Sequence, residues 1–112
     1  MENMNLNSII NHDRFQNVIT QIIGHYDPLQ IVLFGSQAYV VPTEDSDIDL
    51  LVVMNTQMKE IEQALHIFRT VDYHFALDLI VRKPETIQRR LHLGDPFMQD
   101  IVFKGKVLYE RT

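Results

Sequence analysis

The sequence GSQAYVVPTEDSDIDL spans residues 35–50. It begins directly after the apolar run Gln30–Phe34, and it ends inside a second apolar run, Ile48–Met54. Short apolar runs bounded by glycine or acidic residues are typical of buried strands. The stretch is therefore predicted to connect two strands. Gly35-Ser36 lies at the end of the first strand and Asp47-Ile48-Asp49 at the start of the second.

Two helices are predicted from apolar residues at helical spacing. The first is an amphipathic helix around Phe15–Ile23, with Asn11 or Asp13 as its cap and Gly24 at its end. The second follows Thr56, its predicted cap, and carries apolar residues at positions 58, 61, 65 and 68.

The last third of the chain continues the alternation of strands and helices. Residues 74–82 are predicted to form a third strand, and Pro84 is well placed in the first turn of a short helix that ends near Gly94. A further helical turn is predicted over residues 97–102 and a final strand over residues 106–109. Four strands with helices packed on them predict an α/β or α+β domain.

Length and composition predict a globular chain. A chain of 112 residues with 46% hydrophobic and 22% charged residues predicts one domain over residues 1–112. The absence of cysteine excludes disulfides, thiolate zinc sites and thiol nucleophiles. No apolar run approaches the ~18 residues of a membrane span, and the first residues lack the pattern of a signal peptide. A soluble cytoplasmic protein without a membrane partner is expected.

The formal charge of −5 is unevenly distributed along the chain. Residues 1–81 hold three basic and eleven acidic residues, a balance of −8, whereas residues 82–112 hold seven basic and four acidic residues, a balance of +3. An acidic body argues against direct, charge-driven binding of nucleic acid. The basic last third is either a solvated face or a surface that meets phosphates or a partner.

Three aspartates are the candidate site residues. Asp47 and Asp49 point to the same face of their predicted strand, because strand side chains alternate. Asp78 interrupts the apolar run of residues 75–81, where a buried carboxylate is costly unless it is paired or binds a metal ion. Converging carboxylates repel each other, and divalent cations relieve that repulsion. Oxygen-only ligands suit Mg²⁺, and two such ions can clamp the oxygens of a phosphoryl displacement.

Gly35 and Ser36 complete the candidate site. Glycine lets the backbone approach a phosphate closely, and the Ser36 hydroxyl and N–H can donate to its oxygens. Alone, the Gly-Ser pair is usually a turn, and an Asp-x-Asp pair is usually structural. Tyr39 either packs or contacts a base. The five histidines lack metal-ligand spacing, and no GxxxxGK[ST] or GxGxxG motif is present. The combination of motifs predicts a nucleotide–metal site.

These motifs resemble the minimal nucleotidyltransferase family, in the superfamily that includes DNA polymerase β and kanamycin nucleotidyltransferase. Its signature is Gly-Ser, ten residues, Asp-x-Asp and a later Asp, which match Gly35-Ser36, Asp47, Asp49 and Asp78. The resemblance implies a mixed sheet and Mg²⁺-dependent transfer of a nucleoside monophosphate from ATP. Asp47 and Asp49 would hold two metal ions. Asp78 would complete the ligand shell of the metal ion nearest the acceptor hydroxyl, and Ser36 would hold the outgoing phosphates.

The resemblance also implies a partner. Free-standing members resemble antitoxins that attach AMP to a tyrosine of an all-helical HEPN ribonuclease. A short chain would form only one wall of a cleft, so the HEPN-type protein or a second copy of the chain would supply the other. Members commonly have arginine near Gln37 and glycine near Val40, where this loop is bulkier. A binding module without catalysis, or a transferase with a small-molecule acceptor, is the alternative.

Overall fold

The structure is a computed structural model that describes residues 12–35, 48–73 and 75–112, with the side chains of residues 12–15 excepted. Helices and strands alternate in the described ranges much as the sequence predicts. The helices are α1 (His12–Tyr26), α2 (Glu60–Thr70), α3 (Pro84–His92) and α4 (Pro96–Lys104), and the strands are β1 (Gln30–Phe34), β2 (Ile48–Val53), β3 (Leu77–Arg82) and β4 (Lys106–Glu110).

The four strands form one mixed sheet in the order β3-β2-β1-β4. β1 is antiparallel to both of its neighbours, whereas β2 and β3 are parallel. Parallel neighbours need a long crossover connection, and helix α2 lies within it. The predicted mixed sheet of about four strands flanked by helices, an α+β architecture, is confirmed.

Both faces of the sheet carry a hydrophobic core. On one face, α1 and α2 contribute side chains such as Val18, Ile22 and Ile67, all of which are fully buried. On the other face, Ile101 of α4 packs with Leu51 of β2 and its neighbours. The central strands are apolar in nearly every residue because both of their faces are covered. This burial holds the ends of β1 and β2 in fixed positions.

Helix α1 runs beyond the predicted end at Gly24, so that prediction is wrong. The helix ends at Tyr26, and Asp27 then takes a left-handed conformation with φ of 48°. Its N–H donates to the carbonyl oxygen of Ile23 at 3.0 Å, and Pro28 follows. Asp27 therefore supplies the left-handed residue that glycine commonly provides. Asp13 is the second residue of the described helix rather than the residue that precedes it.

The predicted cap of α2 is also wrong, because the helix begins four residues after Thr56. Lys59 is the N-cap, and its N–H is 3.4 Å from the Glu62 carboxylate. The Thr56 hydroxyl instead donates to Oε1 of the buried Gln63 at 2.6 Å and accepts from the Met58 N–H at 3.1 Å. Thr56 thus orders the connection that leads into the helix.

Two predicted strands are shorter than expected. β2 ends at Val53, and β3 begins at Leu77, after residues 75 and 76. Asn11 and His74, at the predicted helix cap and strand start, lie outside the described residues. None of the described helices is long and apolar enough to span a lipid bilayer.

Candidate active site

Asp49 and Asp78 are register partners on the neighbouring parallel strands β2 and β3. Register partners on adjacent strands point to the same face, and adjacent strands lie roughly 4.8 Å apart. On the other side of β2, Asp49 is the partner of Phe34, the last residue of β1. The sheet therefore brings the second and third predicted carboxylates together beside the end of β1.

Gly35 follows β1 and contacts the same carboxylate. It has a φ of 75°, which side chains other than glycine rarely adopt. A Cβ built on it would overlap Oδ2 of Asp49. The glycine is thus required both by its backbone conformation and by the close approach of the Asp49 carboxylate.

The two carboxylates differ in their exposure to solvent. Asp49 is half-buried, and Asp78 is exposed. The expected cost of burying Asp78 inside an apolar strand is therefore not incurred, because its carboxylate reaches solvent at the start of edge strand β3. An aspartate among the apolar residues of β3 remains unusual. Because Asp78 is exposed, however, its carboxylate does not need a metal ion or another partner to offset a cost of burial.

The described part of the site suits a hard cation, although it contains fewer residues than the site that the sequence predicts. Among the described residues, no three His, Asp or Glu side chains are grouped to hold a metal ion. Ser36, Asp47 and Tyr39 lie outside those residues. As register partners, Asp49 and Asp78 place carboxylate oxygens on one face of the sheet, and oxygen is the ligand that Mg²⁺ prefers. Their chemistry fits the metal that the family implies.

A pocket of about 260 Å³ lies next to Asp49, and the sequence motifs did not point to it. Its walls come from the end of β1, the start of β2, and α4 with the glycine that follows it. The only sequence signal is the helical spacing of residues 97, 101 and 104, which places these side chains on one face of α4. The lining residues are Phe34, Gly35, Asp49, Phe97, Asp100, Ile101, Lys104 and Gly105.

Several residues of the basic last third form ion pairs with carboxylates. Lys104 lies 3.3 Å from Asp100 at the pocket, and Arg111 lies 2.6 Å from Asp27. Arg90 and Asp95 pair at 3.6 Å. Asp95 is 23% exposed and the other five side chains are 39–72% exposed, so solvent screens each pair and it contributes little to the free energy of unfolding. Of these three basic residues, Lys104 lies nearest the candidate site, because it lines the same pocket as Asp49.

The fold and the motif residues define a class of protein. A four-stranded mixed sheet with helices on both faces, a glycine after β1 and carboxylates on β2 and β3 is the α+β nucleotidyltransferase fold. The chain matches the family described as "Polymerase beta, Nucleotidyltransferase" over residues 17–112. The protein belongs to this nucleotidyltransferase family, as the sequence resemblance predicted.

A solved structure gives a closer comparison within this class. The chain is similar to one in a crystal structure of the toxin–antitoxin complex MntA–HpeT that carries a tyrosine-to-alanine mutation. The TM-score is 0.52 and the identity 25%, over 88% of this chain and 73% of that one. The predicted resemblance to minimal nucleotidyltransferases of the antitoxin type is thereby confirmed. No curated protein sequence matches the chain significantly.

Proposed function

We propose that this protein is a Mg²⁺-dependent nucleotidyltransferase that moves AMP from ATP to an acceptor hydroxyl. The observation that carries the proposal is the placement of Gly35, Asp49 and Asp78 at one end of three adjacent strands. A phosphate-approaching backbone next to paired carboxylates is an arrangement suited to phosphoryl transfer. Membership in the nucleotidyltransferase family supports the same reaction class.

Each residue has a proposed task. Asp49, together with Asp47, would hold two Mg²⁺ ions, and Asp78 would complete the ligand set beside the acceptor. Bound Mg²⁺ neutralises charge on the phosphates and polarises the phosphorus–oxygen bonds. Gly35 and Ser36 would hold the outgoing pyrophosphate through backbone N–H groups and the hydroxyl. Asp78 is exposed, so it can meet a large acceptor.

The transfer itself needs little from the protein beyond position and charge. The acceptor oxygen would form a bond to the α-phosphorus as the bond to the outgoing pyrophosphate breaks, and the hydroxyl proton would pass to the Asp78 carboxylate. The carboxylate of Asp78 would orient the acceptor hydroxyl and favour loss of this proton. Preorganised charge at the developing phosphate then supplies most of the rate enhancement.

We further propose that the acceptor is a tyrosine of a toxin, and that the protein is the antitoxin. The similarity to a chain of a toxin–antitoxin structure supports this partner class. The proposed toxin is a small, all-helical HEPN-type ribonuclease, which would form the second wall of the cleft. An added phosphodiester places negative charge next to the RNA site and repels RNA phosphates. AMP attachment would thus silence the ribonuclease.

The experiment is co-expression with such a ribonuclease, followed by intact-mass measurement of the partner. We expect the partner to gain the mass of AMP with the wild-type protein, and to gain nothing with the Asp47→Asn, Asp49→Asn double variant. Glu110→Gln is the matched control, because this exposed carboxylate is the register partner of Gln30 at the far end of β1. An unmodified partner that is silenced equally by the wild type and the double variant would establish a binding module instead.

A further inference from the structure

We propose that the pocket beside Asp49 receives the two outer phosphates of the nucleotide, which leave as pyrophosphate. Lys104 of α4 would bind them through its ammonium group. This inference rests on the proposed function, because it assigns a part of the same substrate. It adds a phosphate-binding residue from outside the Gly-Ser and Asp-x-Asp motifs.

The sequence around the motifs lacks the side chains that commonly bind phosphate. Between Arg14 and Lys59, the chain contains no lysine and no arginine. Gly35 and Ser36 therefore offer a phosphate only N–H groups and a hydroxyl. The outer phosphates carry much of the negative charge of a triphosphate, and enzymes that transfer phosphoryl groups stabilise such charge with lysine, arginine and Mg²⁺. A cationic side chain at this site has to come from another element of the fold.

The packing of α4 against β1 brings Lys104 to the site. Ile101, one turn earlier on the helix, packs with Val32 of β1 in the core. Gly105 follows Lys104, and a Cβ on this glycine would lie 2.7 Å from Cγ1 of the same valine. Glycine thus lets the end of α4 lie close to β1. Lys104 consequently lines the pocket together with Gly35, and among the lining residues that the structure describes it is the one with a positive charge.

The pocket lies on the side of Asp49 toward which pyrophosphate would leave. The register places Phe34 on one side of Asp49 and Asp78 on the other. The pocket lies on the Phe34 side, and Asp78 is not among its described lining residues. In a phosphoryl displacement, the attacking and leaving oxygens lie roughly in line on opposite sides of the phosphorus. An acceptor hydroxyl at Asp78 therefore directs the outgoing pyrophosphate toward the pocket.

The size and the walls of the pocket suit a diphosphate. At about 260 Å³, it is smaller than the roughly 300–1,000 Å³ of pockets that enclose a drug-sized ligand. It has room for the outer phosphates, whereas the sugar and the base would remain outside. Phe34 and Phe97 meet edge to face in one wall, with ring centroids 5.8 Å apart. Apolar groups lower the local polarity, so the attraction between Lys104 and a phosphate is screened less than in water.

Lys104 has an anionic partner that a phosphate would replace. Its Nζ lies 3.3 Å from Oδ1 of Asp100, and the two side chains are 65% and 55% exposed. An exposed ion pair of this kind opens at little cost. A terminal phosphate carries more negative charge than a carboxylate and offers three acceptor oxygens. Asp100 therefore competes with the phosphates for the ammonium group, and its own charge repels them.

The test measures binding of ATP and inorganic tripolyphosphate to the full chain by calorimetry in Mg²⁺. We expect Lys104→Met to weaken both ligands by the same factor, about tenfold, because one charge-assisted contact to the phosphates is lost. Lys104→Arg should retain most of the affinity, since arginine supplies the same charge. Lys106→Met is the matched control and should change neither affinity. Lys106 is exposed, and its register partner Leu33 packs in the core on the face of the sheet opposite the pocket.

A second variant tests the role of Asp100. Asp100→Asn should tighten tripolyphosphate several-fold, because it removes the carboxylate that competes for Lys104. Glu110→Gln removes the same charge from an exposed residue of β4 and should leave the affinity unchanged. Weaker binding by Asp100→Asn would show that its carboxylate contributes to the site, which overturns its assignment as a competitor.

Two results would contradict the role of Lys104. If the wild type binds both ligands and Lys104→Met alters neither affinity, the outer phosphates lie elsewhere and only this inference fails. A loss of ATP affinity with tripolyphosphate unchanged would place Lys104 at the base or the sugar, which overturns its contact with the phosphates. If the wild type binds neither ligand, the proposed function itself fails, and this inference fails with it.

Discussion

Gly35 and Asp49 approach one another so closely that a Cβ on the glycine would overlap the Asp49 carboxylate oxygen Oδ2. The glycine lies just after β1 and the aspartate is the register partner of Phe34, the residue before it. The residue that follows β1 therefore limits the space available to the Asp49 carboxylate, the candidate metal ligand on β2. The phosphate-approaching residue and the carboxylate form one structural unit.

Gly35→Ala tests this unit. The substitution forces alanine into a φ of 75° and pushes Asp49 aside, so we expect a loss of about 2–3 kcal/mol in the free energy of unfolding. Gly94→Ala is the control, because Gly94 has a similar φ of 78° and nothing within 4 Å of its Cβ position. It should cost only about 1 kcal/mol. Equal losses in urea denaturation would show that the clash with Asp49 is relieved without cost.

Asp49 and Asp78 should affect nucleotide binding and transfer differently. Asp49→Asn is expected to abolish Mg²⁺-dependent ATP binding, because Asp49 is proposed to hold both ions. Asp78→Asn is expected to leave ATP affinity within a few-fold and to lower the rate of AMP transfer at least about a hundredfold. Calorimetry gives the affinity, and α-phosphate-labelled ATP gives the transfer rate.

The control for both variants is Glu110→Gln, which removes one charge from an exposed residue of β4. It should preserve both affinity and rate. If Asp78→Asn lowered ATP affinity as strongly as Asp49→Asn, the division of tasks between the two carboxylates would be wrong. If neither variant altered transfer, the catalytic site would lie elsewhere in the chain.

The strands were predictable from sequence because burial on both faces leaves a simple pattern. β1 and the apolar part of β2 are continuous hydrophobic runs, as expected when helices cover both faces of a sheet. Strand alternation also predicts that Asp49 lies on the face opposite Leu50. It does not predict that Asp49 and Asp78 are register partners, because pairing depends on the parallel crossover through α2.

Other features depend on contacts between distant parts of the chain. Nothing local indicates that Thr56 hydrogen-bonds Gln63 rather than capping α2, since both roles use the same hydroxyl. The pocket forms where α4 lies beside the end of β1, and Phe34 and Phe97 are far apart in sequence. The sequence motifs and the family match identify the class of protein, but the spacing of single residues does not locate this pocket.

Gly24 lies inside α1, which gives a simple test of helix stability. The sequence suggested a helix end there, but two more residues are helical and Asp27 provides the left-handed conformation. Nothing lies within 4 Å of a Cβ at Gly24. Gly24→Ala should therefore raise the free energy of unfolding by about 0.5–1 kcal/mol through the lower conformational entropy of the unfolded chain.

The contrast for this prediction is Gly105→Ala, because a Cβ there would overlap the Ile101 carbonyl oxygen and approach Val32. This variant should lower the melting temperature, whereas Gly24→Ala should raise it. A melting temperature lowered by Gly24→Ala would mean that Gly24, and not Asp27, governs the end of α1.

Gln21 joins α1 to the segment after α2 by two hydrogen bonds to the backbone of one residue, Asp72. Its amide nitrogen donates to the Asp72 carbonyl oxygen at 3.1 Å, and its Oε1 accepts from the Asp72 N–H at 2.9 Å. The side chain thus reproduces the pairing of a neighbouring strand. Gln21→Ala removes both bonds, and we expect a loss of about 1–2 kcal/mol in urea denaturation.

Gln21→Glu separates the effect of the hydrogen bonds from that of helix propensity, because glutamate and glutamine have similar helix propensities. Gln21→Glu keeps the acceptor for the Asp72 N–H but places a carboxylate oxygen against the Asp72 carbonyl, so it should destabilise the fold as well. Gln88→Ala, on the exposed face of α3, controls for loss of a glutamine and should change the free energy of unfolding by less than about 0.5 kcal/mol. Because these bonds hold α1 against the end of α2, equal stability of Gln21→Ala and Gln88→Ala would show that hydrophobic packing alone positions α1.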